Sequence, residues 1–235
     1  MIKALAVLNA VCLLIILFCI SVEIPTFNMS FYSAEYDKYG IPAHIKVEKH
    51  ELMLVTQRLL AYLKDQAPDI VIEATVAGER REFFNQREKD HMVDVKNLIL
   101  GGLMIRNCAV AVIAATLVIL CARSCKEFLK HLAWAVKNVF TGFLIIVAVL
   151  IVFIAMNFNK SFTIFHELFF NNDLWILNPD TDLLINIVPL GFFMDISALI
   201  SVIFFGMCLA VITASIVYNR VRANKASSAI KETPP

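Results

Sequence analysis

The run VFTGFLIIVAVLIVFIAM, residues 139–156, holds no charged residue and no proline across 18 positions. At a rise of ~1.5 Å per residue it makes a helix of about 27 Å, close to the ~30 Å hydrocarbon layer of a bilayer. It reads as a membrane span.

Three further runs are long and apolar enough to cross: residues 4–20, 98–122 and 196–218. With 59% hydrophobic residues and a mean hydropathy of +0.73, the chain cannot hide all its apolar surface in one water-facing core. The expected fold is an all-α membrane protein with four transmembrane helices and a mainly helical extracytoplasmic cap. It forms a single membrane domain over residues 1–235, with an outer cap at 21–97, a cytoplasmic loop at 123–138 and an outer loop at 157–195. The first run ends in ILFC at Cys19. Phe18 is too bulky for the small position before a cleaved, lipidated cysteine, so the run reads as an uncleaved anchor.

Orientation follows from the basic residues. Arg123, Lys126, Lys130 and Lys137 flank the connection after the second span, and Arg220, Arg222, Lys225 and Lys231 lie in the tail, so both segments and both termini are expected in the cytoplasm. The two long loops then face outward. A net charge of +1 with no basic face beyond those flanks gives no support for nucleic-acid binding. The six cysteines lie in or at the ends of spans, leaving the loops without a disulfide framework. Cys121 and Cys125, one turn apart with no His beside them, read as small interfacial residues.

Within the outer cap, FYSAEYDKYGIP is expected to be extended, with turns at Gly40 and Pro42. Leu52, Val55, Leu59, Tyr62 and Leu63 recur at helical spacing and predict a helix over 47–66. DIVIEATVAG reads as a short strand ending at Gly78, followed by a charged helix from Glu79 into the second span, which Gly101 and Gly102 can bend. Gly206, Ala210 and Ala214 read as a helix-packing seam, and ASSAIKETPP at the C-terminus as disordered. The second outer loop interleaves Phe162, Phe165, Phe169, Phe170, Leu174, Trp175 and Ile176 with polar groups, a composition that belongs at a membrane interface.

FHELFF, residues 165–170, begins like a zinc-protease helix, but the second histidine of that motif would fall at Phe170. His166 is therefore a surface polar residue or half of a site completed elsewhere. Of the five histidines, His44 and His50 read as surface residues and His131 as a residue of the cytoplasmic side. His91 and His166 each lie just outside a span on the same outer face. In REKDHMVDVK, residues 87–96, helical spacing sets Glu88 and Asp94 one turn either side of His91. A carboxylate there can fix an imidazole tautomer, as a general base requires; the alternative is a solvated, charged helix. Asp94, nearer the membrane, is expected to orient the ring more strongly than an exposed Glu88.

REKDHMVDVK leading into a span, and FHELFFNNDLWILNPDTDLLINIVP at 165–189, resemble the two characteristic blocks of the bacterial lipoprotein intramolecular transacylase family. The four-span layout is similar, and the resemblance covers most of the chain. It implies that His91 and His166 are the family's two essential outward-facing histidines. It also implies an integral cell-membrane enzyme whose partners are diacylated bacterial lipoproteins and membrane lipid. One ester-linked acyl chain would move from the glycerol of the lipoprotein's N-terminal cysteine to that cysteine's own α-amine, leaving a lyso-form lipoprotein.

That reaction needs positioning and proton transfer without an acyl-enzyme, a metal or another cofactor, because both reacting groups arrive on one molecule. An α-amine with a pKa of roughly 8 must lose a proton as it attacks the ester, and the departing glycerol oxygen must gain one. Two histidines suffice for both transfers, and their order stays open at this level. Arg106, inside the second span, is a candidate for oxyanion stabilisation; fifteen positions from His91, it reads instead as simple anchoring or support of a polar cavity unless Gly101 and Gly102 bend the chain. Glu167 completes the supporting set. Two other readings remain: a metal-dependent hydrolase drawing on His91, His166 and one or two of Asp94, Glu167 and Asp195, and a non-catalytic sensor or assembly subunit whose cap binds a partner.

Overall fold

A computed structural model describes the backbone of residues 1–121 and 125–231 and the side chains of 1–119 and 127–224. The elements run α1 (Ile2–Thr26), α2 (Met29–Lys38), α3 (Ile41–Ile45), α4 (Lys49–Leu63), β1 (Glu73–Val76), β2 (Glu79–Glu82), α5 (Gln86–Cys121), α6 (Cys125–Met156), α7 (Phe158–Phe169), α8 (Leu183–Ile187) and α9 (Leu190–Lys231). The protein is a mainly helical membrane protein, and four helices, α1, α5, α6 and α9, are long and apolar enough to cross a bilayer. The chain separates into two compact units. One comprises Met1–Ser21, Met104–Ala155 and Ser201–Pro235, the other Val22–Leu103 and Met156–Ile200.

The first unit consists of long apolar helix segments. Ala6, Ala10 and Leu14 of α1 share a core with Phe128, Ala135, Val136, Phe140 and Leu144 of α6 and with Phe204 and Cys208 of α9. Ala6, Ala10 and Ala135 are fully buried, as close backbone approach between apolar helices requires. The seam expected at Gly206, Ala210 and Ala214 is not this one: all three are exposed, and an added Cβ at Gly206 would meet nothing within 4 Å. Arg222 near the end of α9 pairs with Glu127 at the start of α6 at 3.8 Å. The expected loop at 123–138 is helix from Cys125 onward. The side chains of Cys121, Cys125 and Lys126, and Arg123 altogether, lie outside the described residues, as do the side chains of Lys225 and Lys231. The tail expected to be disordered continues as helix to Lys231; its last four residues lie outside the description.

The second unit has its own core, centred on Tyr36, Leu52, Val55, Phe83, Phe84, Ile187 and Phe192. FYSAEYDKYGIP is helical rather than extended. Asn28 caps α2 by accepting from the Ser30 amide at 3.0 Å, and Tyr32, Glu35 and Tyr36 are buried at helical spacing. The Tyr36 hydroxyl meets Thr56 Oγ1 of α4 at 2.8 Å. Gly40, at φ 60°, makes the turn into α3 that the sequence anticipates. Tyr39 reaches Asp195 at 2.6 Å across Gly191, where a Cβ would lie 2.5 Å from the tyrosine oxygen.

The helix expected from Glu79 begins seven residues later. Ala77 and Gly78, both at positive φ, turn the chain into an antiparallel hairpin that pairs Glu73 with Glu82 and Val76 with Glu79. Helix α5 then starts at a reciprocal cap. Glu88 Oε2 accepts from the Asn85 amide at 2.7 Å, and Asn85 Oδ1 accepts from the Glu88 amide at 3.0 Å. Its first three turns are charged and precede the apolar stretch, and the helix continues unbroken through Gly101 and Gly102.

Candidate active site

His91 and His166 both belong to the second unit, and their ring centroids lie 6.1 Å apart. Each residue retains 7% of its exposure. Phe170 bridges them, with its ring centroid 5.4 Å from His91 and 5.6 Å from His166. The aromatic residue that ends the zinc-motif reading of FHELFF therefore packs against both histidines.

His166 sits on α7, whose Asn157 cap accepts from the Lys160 amide at 3.1 Å. Its Nδ1 lies 2.8 Å from the Phe162 carbonyl oxygen one turn back. A carbonyl only accepts, so Nδ1 carries the proton and Nε2 presents a lone pair. Burial pushes the imidazole below its ordinary pKa, and the bond to Phe162 opposes that shift. Phe162, Phe165 and Trp175 complete an aromatic surround, at centroid distances of 4.3, 5.4 and 4.9 Å.

His91 differs in having no hydrogen bond at its buried Nδ1 among the described residues. An orphaned N–H is costlier to bury than an orphaned lone pair, so the proton belongs on Nε2. Burial, then His166, then Arg87 push its pKa down, against the attraction of Asp94, to about 4. Burial thus pushes both rings toward their neutral forms. One offers a lone pair and the other an N–H.

The carboxylates flanking His91 have other partners. Asp94, only partly exposed, accepts from Asn172 Nδ2 at 2.8 Å. Glu88, expected to be exposed, retains 1% exposure. Its Oε1 accepts from the Leu184 amide at 2.5 Å, tying the start of α5 to the start of α8. Beside it, Asp182 Oδ1 accepts from Asn85 Nδ2 and Thr181 Oγ1, each at 2.8 Å, and Oδ2 from the Asn178 amide at 2.7 Å. Sequence reasoning missed this junction; the NxxE cap at 85–88 was its one visible trace.

Arg87 was missed too. It donates to the Asp173 carbonyl and pairs with the Asp173 carboxylate at 3.4 Å. Arg87 and Asp94, four residues before and three after His91, thus anchor the loop at 172–173 on both sides of the imidazole. Glu167 is exposed, and no hydrogen bond or ion pair among the described residues ties it to either ring. Asp195, a ligand in the metal reading, is engaged by Lys38 and Tyr39. Among the described residues no three His, Cys, Asp or Glu side chains converge as a ligand set. Arg106 lies in the first unit, where its Nε and Nη2 donate to Asn107 Oδ1 at 3.2 and 3.0 Å.

A family profile described as "Lipoprotein intramolecular transacylase Lit" matches residues 7–193. The fold is similar to that of the membrane integral lipoprotein intramolecular transacylase Lit from Bacillus cereus. The TM-score is 0.71 and the identity 22%, over 94% of this chain and 98% of that one. Structures of the Bacillus cereus protein with a histidine changed to alanine or to arginine align with TM-scores of 0.70 and 0.68, at 21% and 22% identity, over 95% and 94% of this chain and 96% and 95% of those chains. No curated protein sequence matches.

Proposed function

The chain belongs to the lipoprotein intramolecular transacylase family, and from that premise we propose how this acyltransferase works: one ester-linked acyl chain moves from the diacylglyceryl group of a lipoprotein's N-terminal cysteine to the cysteine's own α-amine. The supporting observation is the asymmetric histidine pair, two buried imidazoles 6.1 Å apart, one with Nδ1 held by the Phe162 carbonyl and the other with a buried Nδ1 that has no hydrogen bond among the described residues; on the tautomers argued above, the first presents a lone pair and the second an N–H.

His166 Nε2 takes a proton from the amine nitrogen as that nitrogen attacks the ester carbonyl. The C–N bond forms, and negative charge develops on the carbonyl oxygen, to which His91 Nε2–H donates. An N–H kept neutral by burial suits that task, because it stabilises the oxyanion without first giving up its proton. The intermediate collapses by breaking the C–O bond to glycerol, and the departing oxygen takes the proton from His166. The amine thus becomes an amide, the ester becomes an alcohol, and His166 returns to its starting form. Proton transfer of this kind contributes roughly 10²–10⁴-fold.

The reaction belongs at the outer membrane face, where ester carbonyls of a diacylglyceryl group lie at headgroup depth. Ile164, Phe165, Leu168 and Phe169 expose an apolar face of α7, suited to lipid, opposite buried His166. The Arg222–Glu127 pair joins the basic flanks of α6 and α9, supporting a common cytoplasmic side for both.

Mass spectrometry of a reporter lipoprotein's N-terminal peptide, from cells with and without the protein, tests the reading. The expected product is N-acylated and carries one glycerol ester. An unchanged diacylglyceryl peptide with a free amine in cells making the protein overturns it.

A further inference from the structure

Trp175 stacks on His166, with ring planes inclined by 30° and centroids 4.9 Å apart. Its position is fixed by three hydrogen bonds of one residue. The Asn172 carbonyl accepts from Trp175 Nε1 at 3.0 Å, Asn172 Oδ1 accepts from the Leu174 amide at 3.1 Å, and Asn172 Nδ2 donates to Asp94 at 2.8 Å. With Arg87 holding Asp173, the turn carrying the indole is tied to α5 on both sides of His91.

An indole face is the most electron-rich of the aromatic side chains and attracts a cation lying over it. If the stack served only to fill space, the hydrogen bonds at Asn172 would have no bearing on the chemistry. The histidine beneath it is the one that becomes positive during the acyl shift. The titratable and charged groups around it are His91 on α5, with Arg87 and Asp94 on the same helix, Asp173 in the loop, and exposed Glu167 on its own helix. Among the described residues none of these hydrogen-bonds the imidazole. The Phe162 carbonyl and the aromatic faces are the groups in direct contact that can stabilise the cation.

We propose that Trp175 is a positioning residue that acts through His166: its indole face stabilises the imidazolium formed when His166 holds the amine's proton, and Asn172 sets the indole in place. This rests on the reading of His166 as the proton carrier. Burial and stacking then act in opposite directions on the same ring, one keeping it neutral at rest and the other easing its transient charge.

The chain has two tryptophans, so a Trp134→Phe background leaves Trp175 alone. Protein made in that background with tryptophans of increasing fluorine content keeps the indole's shape and cover while draining its face of electron density. The His166 imidazole is titrated by NMR in detergent micelles, with His166→Ala identifying its resonance, and kcat/KM for a synthetic diacylated lipopeptide is followed across pH. The His166 pKa is expected to fall with each fluorine, by about half to one pH unit over the series, with the acid limb of kcat/KM moving the same way. A pKa that stays fixed or rises overturns the role of Trp175. Full activity in His166→Ala instead overturns the proton-carrier reading, whatever the fluorine series shows.

Discussion

The Asn172 side-chain amide donates to the Asp94 carboxylate at 2.8 Å, so the acid one turn after His91 holds the loop over the histidine pair. Asp94 still acts on His91 through its charge, raising a pKa that burial pulls down. The two effects separate by substitution. Asp94→Asn keeps an oxygen for Asn172 and loses the charge; Asp94→Leu loses both. We expect Asp94→Asn to retain most of the turnover and Asp94→Leu to lose about tenfold, the order of one charge-assisted hydrogen bond. Initial rates on a diacylated lipopeptide check this, and equal rates for the two variants would deny the loop anchor.

His91→Ala and His166→Ala are each expected to lower lyso-lipoprotein formation by at least about 10²-fold, with protein levels in the membrane unchanged. His44, whose Nε2 lies 3.2 Å from Asn186 Oδ1 at the surface, provides the control: His44→Ala is expected to stay within about twofold, a surface-level effect. Gel-shift or mass analysis of a reporter lipoprotein distinguishes these outcomes, and an active His166→Ala removes that residue from the mechanism.

The depressed histidines make stability depend on pH with a fixed sign. In the folded chain the His91 pKa is pushed down to about 4, from ~6.5 when unfolded. Between those values the unfolded chain binds more protons, so stability is complete above the unfolded value and falls as pH drops toward the folded one. Thermal unfolding in detergent is expected to show this loss between pH 6.5 and 5, and His91→Phe is expected to flatten it. A wild-type unfolding temperature that rises on acidification through this range would contradict the buried, neutral ring.

Glu88 holds two backbone amides, those of Asn85 and Leu184, while nearly fully buried. Glu88→Ala leaves both without an acceptor and is expected to cost about 2–4 kcal/mol. Glu88→Gln keeps one acceptor oxygen and is expected to cost less. Unfolding temperatures of the two variants give the comparison; a neutral Glu88→Ala would show that the junction contributes nothing.

Orientation is open to direct labelling. In a background without the native cysteines, Glu79→Cys on the exposed β2 strand is expected to react with an impermeant thiol reagent in intact cells. Arg220→Cys is expected to react only after the membrane is opened. The opposite pattern would reverse the topology.

Residues 139–156 already determine a membrane helix, because a bilayer imposes one requirement, unbroken apolar length, that is written locally. The four long helices were legible for that reason, and so was α4, whose apolar residues recur at 3.6-residue spacing. FYSAEYDKYGIP was misread because its helix is held by burial of Tyr32 and Tyr36 in a core made with distant segments. Glu79 was misread because two residues at positive φ, Ala77 and Gly78, return the chain into a hairpin. The histidines could be nominated from sequence, since each stands beside a span in a recognisable block. Their different chemistry could not be. Which ring nitrogen is free depends on the Phe162 carbonyl for His166 and, for His91, on an Nδ1 that has no hydrogen-bond partner among the described residues. The contacts of Asn172 with Asp94 and of Asp173 with Arg87 join residues more than 70 positions apart, and they set the turn that stacks Trp175 on His166. Periodicity records the solvent that each segment faces, whereas hydrogen-bond partners and pKa shifts arise when separate segments exclude water together, and only the tertiary structure decides that.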